Sequence, residues 1–472
     1  MVPNAPAVAL FRRTALFLFC IHFISVSGLR TSCHPPRPSR ASRWGPVSAT
    51  ADPTADLPPA GGEEGNASRS GVWHWRNGWD IHFEHACGDR QGEGGGDGDG
   101  EGEGRGQERD KARSPLLLLP GFGVGTFHFR RNMRELSKTH DVYSIDLLGQ
   151  GKSWPTRAPT REDGLCYSVD LWTEQVLGFI EEVIGEPAFV AGNSLGGFIA
   201  AHLAANHPDA VRGLALMNAT PFWAFRSPSV TVNSGDANWK DEAAQEARRR
   251  DSVAEGGGAG DWLGWDGTLP APAGLFRFGA WYFDRMRDPR TVKTMLGAVY
   301  SNPDAVGEEV VSEIIAATER GPTNQDYGVG GHEAFTSIVF SPKVSMTFEE
   351  MIDKIEVPMA LMYGKEDPWV VPLWGHRIKR QRPETLYYEI SPSGHSPHHE
   401  TPNTVNALLA GWLEYASSGG SAPLAGEGEV LEMKESNGSR VTATMVPDAM
   451  PRGAVEWLDS AIWGATRRRP GR

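Results

Sequence analysis

The chain has 472 residues, a formal net charge of −13, and 22% charged against 39% hydrophobic residues. So acidic a balance disfavours nucleic acid and anionic lipid as partners. Its four cysteines, Cys20, Cys33, Cys87 and Cys166, argue against a disulfide framework or a cysteine-based zinc site, two of them lying near the start.

Residues 1–54 read as a targeting leader rather than a folded element. Ala15 to Val26 is mostly apolar but too short to span a bilayer comfortably, and small residues follow at Ser25, Ser27 and Gly28. The sequence is then rich in Arg, Ser and Pro and free of acids up to Thr50. A signal peptide followed by a plastid transit peptide fits this pattern, with a plain secretory signal as the alternative. Residues 55–70 form a linker.

A first core segment is expected over residues 71–218. Trp73 to Phe83 alternates like an opening hairpin, and the Gly/Glu/Asp/Arg tract over 88–114 reads as a disordered insertion. Leu116 to Leu119 is a buried strand that enters the glycine-rich turn Pro120-Gly121-Phe122-Gly123-Val124-Gly125. Next come a helix near Phe127 to Lys138, a strand at Val142 to Ile145, and a loop in which Asp146 is expected to be structural. A helix near Val169 to Ile184 precedes the strand Ala188-Phe189-Val190-Ala191.

That strand runs into Gly192-Asn193-Ser194-Leu195-Gly196 and a helical pattern over Phe198 to Asn206. By itself G-x-S-x-G is a weak signal in a chain with 56 glycines. Between a strand and a helix it describes a nucleophile elbow, in which the turn is so tight that the serine's neighbours must be small. The helix dipole behind the hydroxyl then favours developing negative charge. Gly213 to Met217 is a sixth strand. Strands alternating with helices imply an α/β protein: a mostly parallel sheet with helices on both faces.

Residues 219–354 should form a helical cap inserted after strand 6, interrupted by a low-complexity insertion over 233–267. Phe222, Trp223, Phe225, Phe276, Phe278, Trp281 and Phe283 crowd this region. They serve either as ordinary cap-on-core packing or as the wall for a large apolar substrate. A second core segment is expected over 355–416, and a C-terminal tail over 417–472, whose start is a low-complexity tract reaching Asn437. The tail holds a short helix at Val455 to Ala465.

A serine hydroxyl needs a base, and the base needs an orienting acid. In the α/β-hydrolase order the acid follows the serine and the histidine comes last. The strand Val357 to Tyr363 ends in Gly364-Lys365-Glu366-Asp367-Pro368-Trp369. Asp367 is the expected acid and Glu366 the competing carboxylate, the choice resting on the turn that Pro368 sets. Leu386 to Ile390 leads to Ser391-Pro392-Ser393-Gly394-His395-Ser396-Pro397-His398-His399-Glu400. His395 is the expected base, with His398 and His399 read as solvent-facing loop residues. Their spacing does not favour a metal site, and no cofactor is called for. Oxyanion donors are expected at the backbone amides of Phe122 and Leu195. Phe222, Trp223 and Trp369 are the substrate-binding candidates.

The runs Asn218-Ala219-Thr220-Pro221-Phe222-Trp223 and Tyr363-Gly364-Lys365-Glu366-Asp367-Pro368-Trp369-Val370, with the elbow and the Pro120 loop, are more specific than the serine motif. Together with Tyr388-Glu389-Ile390-Ser391-Pro392, they closely resemble the pheophytinase family of α/β-hydrolases over roughly residues 72–414. The resemblance implies an α/β-hydrolase core with a cap, Ser194 as nucleophile and His395 as base. It also implies cofactor-free hydrolysis of the phytyl ester of magnesium-free chlorophyll in the plastid. The expected partner is a phytylated tetrapyrrole, met at the thylakoid membrane by peripheral contact. Ala224 stands where the family usually has Gly, and Ser396 where it often has Cys. A dephytylase acting on chlorophyll itself, another plastid lipid esterase and, from a different class, a ligand sensor of the same fold are the alternatives.

Overall fold

The computed structural model describes residues 68–76, 78–88, 113–219, 265–319, 331–341, 346, 348–420 and 423–447. The expected leader, most of both internal insertions, Phe222, Trp223, Phe225 and the helix at Val455 to Ala465 lie outside them.

The strands are β1 (Arg69–Trp75), β2 (Trp79–Ala86), β3 (Pro115–Leu119), β4 (Asp141–Ile145) and the two-residue β5 (Trp154–Pro155). They continue as β6 (Ala188–Asn193), β7 (Val211–Met217), β8 (Met359–Gly364), β9 (Leu386–Ser391), β10 (Val430–Lys434) and β11 (Arg440–Met445). All join one sheet in the order β1-β2-β4-β3-β6-β7-β8-β9-β11-β10, with β5 paired to β2. From β4 to β9 every pairing is parallel; β1, β2, β10 and β11 close the two edges with antiparallel pairs. The cap therefore follows β7, because the short β5 adds one strand to the expected count.

Central strands with apolar residues at successive positions must be covered on both faces. Leu117 and Leu119 of β3 enter one core with Val190, Leu216, Leu361 and Phe198. Leu116 and Leu118 enter the other with Phe129, Met133, Leu408 and Trp412. The first face is covered by α2 (Val169–Phe179) and α3 (Leu195–Asn206), the second by α1 (Arg130–Leu136) and the C-terminal helix over Pro402–Ser417. Helix α3 approaches the sheet closely because it carries Gly196, Gly197, Ala200, Ala201 and Ala204 on its buried surface.

Among the described residues the cap comprises α4 (Ala273–Met286), α5 (Pro289–Val299), α6 (Glu308–Ala317) and α7 (Gly331–Phe340). Helix α5 starts with Pro289 behind Asp288, whose carboxylate accepts from Arg290 N and Thr291 N, a favoured helix start. Arg130 of α1 grips Glu313 of α6 through both guanidinium nitrogens at 2.5 and 2.8 Å, and Gly151 N donates to Ala317 O at 2.7 Å. Two expected boundaries shift. Helix α8 (Phe348–Lys354), expected to end the cap, packs on α3 of the core, because Met351 and Ile352 are fully buried there. Trp265, expected within the second insertion, is also buried against the core.

The expected tail differs more. β10 and β11 form a hairpin, and β11 pairs with β9 to extend the main sheet. The cause is an alternation in Val441-Thr442-Ala443-Thr444-Met445, whose odd positions are buried. The hairpin turns through Asn437-Gly438, with Gly438 at φ +86°, a strong hairpin signal hidden in a Gly/Glu-rich composition. Glu435 at its tip accepts from Asn403 N and Thr404 N, capping the helix over Pro402–Ser417.

Candidate active site

β6 delivers Ser194 to the carboxyl edge of the sheet, where ligands of parallel α/β sheets bind. Ser194 has φ 52° and ψ −116°, a conformation that costs a non-glycine residue energy and is held by its surroundings. The glycines around it are required. A Cβ on Gly192 would lie 2.5 Å from Gly196 C, one on Gly196 2.3 Å from Leu119 O, and one on Gly197 2.4 Å from Ala219 Cβ. Strand, serine and helix close so tightly that only hydrogen fits at those positions.

The residue expected as acid stands just beyond the end of β8. Asp367 is buried, and its Oδ2 accepts from His395 Nδ1 at 2.7 Å and from Asn218 Nδ2 at 2.8 Å. Its Oδ1 accepts from Trp369 N at 2.7 Å. An ionised carboxylate only accepts, so Nδ1 carries the imidazole proton and Nε2 is left as the basic nitrogen. Glu366, the competing carboxylate, is exposed and accepts instead from Ser391 Oγ and Ser393 N. Burial by itself would lower the His395 pKa. Asp367, by charge and hydrogen bond, and then the charge of Glu400 outweigh it and raise it. The Trp369 ring meets the His395 ring edge-on at 5.3 Å.

Two asparagines that sequence reasoning left without a role hold these parts together. Asn193 Nδ2 bonds both Met217 O and His395 O, at 3.0 and 2.9 Å, tying the elbow to the histidine loop. Asn218, at φ 44°, holds Asp367 and takes the Gly364 N–H on its Oδ1 at 2.9 Å. Their signal in the sequence was position: Asn193 is the last residue of buried β6 and Asn218 directly follows buried β7. No hydrogen bond joins the Ser194 hydroxyl to the His395 ring among the described residues.

The Pro120 loop lies over the serine: a Cβ on Gly121 would sit 3.5 Å from Ser194 Cβ. Gln150 braces the loop, accepting from Gly123 N and donating to Gly121 O, both at 3.0 Å. The N–H groups of Phe122 and of Leu195, the first residue of α3, have no hydrogen-bond acceptor among the described residues. The Phe122 ring is 41% exposed and reaches Phe335 of cap helix α7 at 6.4 Å, so this loop touches both serine and cap. Asp146 is buried and accepts from Thr126 N, Lys152 N and the His82 ring, bonds that brace neighbouring turns.

His398 and His399 are not solvent-facing; both are buried. His398 Nε2 pairs with His128 Nδ1 at 3.0 Å, and His128 Nε2 with the Tyr300 hydroxyl at 2.9 Å. His399 stacks on His128, and His398 on Phe129. The short helix α9 (Pro397–Glu400) turns both rings inward. Burial pushes the pKa of His128 and His398 well below the usual histidine value and that of His399 down to about 4. Among the described residues no group of three His, Cys, Asp or Glu side chains is placed to hold a metal ion.

A family model described as "alpha/beta hydrolase fold" matches residues 114–253. The chain has the α/β-hydrolase fold. It is 36% identical over 337 residues to chloroplastic pheophytinase of Arabidopsis thaliana, a match covering 65% of this chain and 62% of that protein. The chain thus spans less than two thirds of that relative. It is 25% identical over 311 residues to the (lyso)-N-acylphosphatidylethanolamine lipase of Homo sapiens, covering 63% of this chain and 78% of the lipase. A solved thermophilic esterase from Thermogutta terrifontis is 16% identical over 74% of this chain and 99% of its own, with a TM-score of 0.46.

Proposed function

We propose that this α/β-hydrolase is a serine carboxylic-ester hydrolase that removes phytol from pheophytin to give pheophorbide. The observation that carries the reading is the 2.7 Å bond between His395 and Asp367, on the loops beside the Ser194 elbow. The similarity to pheophytinase supports the substrate.

In this reading Ser194 Oγ attacks the propionyl ester carbon and His395 Nε2 takes its proton. Asp367 holds the imidazole tautomer and stabilises its charged form. The oxyanion forms against the Phe122 and Leu195 amides; one such donor is typically worth about 100- to 1,000-fold in rate. His395 returns the proton to the departing phytol oxygen. Water, activated by the same nitrogen, then cleaves the acyl-enzyme and releases the acid and free Ser194. No cofactor enters these steps.

The roof supports an apolar substrate. Phe335 of α7 packs on Phe283 and on Phe122, while Trp369 lies against the base. Phe222 and Trp223 retain their proposed part in substrate binding. On the outer side of α4, Phe278 and Trp281 are 62% and 53% exposed, with Arg285 over the Trp281 ring at 4.5 Å. Aromatic residues beside arginine suit a lipid–water boundary, which supports peripheral thylakoid contact. A plastid location, reached through the leader, completes the proposal; a fluorescent fusion of residues 1–54 that stays outside plastids would contradict it.

The deciding assay incubates the protein with pheophytin, chlorophyll and a simple phytyl ester and measures released phytol. Release from pheophytin above the other two is the expected result. Equal release from pheophytin and chlorophyll removes the selectivity, and no release from any removes the dephytylase reading.

A further inference from the structure

Glu400 is the last residue of α9, and its carboxylate is buried. It accepts hydrogen bonds from backbone N–H groups of two segments, one close in the chain and one remote. Oε2 takes those of Ser301 and Asn302 at 2.7 and 3.1 Å; Oε1 takes those of Gly394 and Ser396 at 3.0 and 3.3 Å. Gly394 and Ser396 flank His395. Ser301 and Asn302 leave cap helix α5, and the same stretch holds the histidine loop directly, since His395 N donates to Val299 O at 2.9 Å. The approach is close: a Cβ on Gly394 would lie 2.1 Å from Val299 O and 3.0 Å from Glu400 Oε1.

We propose that Glu400 is a positioning residue: its carboxylate clamps the peptides on either side of His395 to the segment leaving α5, so that the imidazole is aimed only when the cap is seated. The proposal rests on the reading of His395 as base. A carboxylate is suited to this because it offers several lone pairs at once, and N–H bonds to a charged acceptor are the stronger kind. Glutamine in its place could not satisfy the same donors, because its NH2 group would point at N–H groups. The clamp also places charge near the base without touching it. Asp367 bonds the His395 ring and Trp369 meets it edge-on, while the charges of Glu400, His128 and His398 act on it from nearby; Tyr300 interacts with Glu400. Asp367 and Glu400 both raise the His395 pKa, and burial raises that of Glu400 itself against the pull of its four N–H donors.

The test uses the full chain and p-nitrophenyl butyrate, following kcat and the pH dependence of kcat/KM. Glu400→Gln should lower kcat on the order of 10- to 100-fold, the effect of a misplaced catalytic group, and move the acid limb to lower pH because a negative charge near His395 is gone. Glu400→Asp keeps the charge and should leave that limb in place. Ser301→Pro removes the shorter of the two cap-side bonds and keeps the carboxylate; Tyr300, at φ −90° and ψ 131°, already has the backbone that a residue before proline adopts. It should lower kcat without moving the limb. Wild-type kcat and an unmoved limb in a folded Glu400→Gln protein overturn the proposal. If Glu400→Gln does not fold, Ser301→Pro decides, and wild-type kcat there overturns it. Turnover that survives Ser194→Ala overturns the hydrolase reading itself, an outcome separable from the failure of the clamp alone.

Discussion

Ser194 combines a strained backbone with the hydroxyl proposed as nucleophile, and its replacement separates the proposed chemistry from binding. Ser194→Ala should abolish release of p-nitrophenol while leaving pheophytin binding, followed by quenching of tryptophan fluorescence, intact. Asp367→Asn should cost about 10⁴-fold in kcat, as loss of the orienting acid does in serine hydrolases. Asn218→Ala removes one donor to Asp367 and the acceptor for Gly364 N; a loss of about 1–3 kcal/mol is expected from the stranded buried groups, measurable by urea unfolding. Because the His395 pKa is raised, the neutral base is formed only above the ordinary histidine value. The acid limb of kcat/KM should therefore have its midpoint above 6.5, and a midpoint below 6.5 would contradict the electrostatics described. The proposed serine, acid and base could be named from the sequence because order and strand-end position constrain them. Asn193, Asn218 and Glu400 could not, because a side-chain bond to a remote backbone leaves no local pattern.

At the scale of elements, the elbow depends on three glycines whose missing Cβ atoms make room for backbone. Gly196→Ala puts a methyl group 2.3 Å from Leu119 O, so β3 and α3 must separate. The expected outcome is a lower melting temperature together with lost turnover, read by calorimetry and ester assay. The hairpin β10–β11 is the element the sequence disguised. Its composition matched the neighbouring low-complexity tracts, and only the alternation over 441–445 and Asn437-Gly438 distinguished it. Ending the chain at Ser417 should expose the β9 edge and Tyr388 and remove the Glu435 cap on the helix over Pro402–Ser417. Such a protein should melt several degrees lower and aggregate, as an uncovered edge strand does.

For the whole molecule, the seam between cap and core is where titration bears on stability. His128, His398 and His399 are buried there in their neutral forms, with pKa values depressed by burial. The unfolded chain binds protons at these positions near pH 6.5 while the folded one does not, so stability falls as pH drops below 6.5. For His399 the loss is complete below about 4. His395 acts in the opposite sense, since its raised pKa adds stability below 6.5 that is lost as pH rises through the folded value. Glu400, whose pKa burial raises, acts in the same sense as His395; three depressed groups outnumber these two, so the melting temperature should drop between pH 7 and pH 5, and a rise over that interval would refute the account. Alternating strands and helices, the glycine elbow and the Ser–Asp–His order were determined by the sequence alone, because each depends on residues close in the chain or on the regular period of a buried element. Which carboxylate meets His395, which histidines are buried and what joins the cap to the base were decided only by the tertiary structure, because each depends on groups brought together from separate segments: Asp367 and His395 are 28 residues apart, Ser301 and Glu400 are 99, and His128 and His398 are 270.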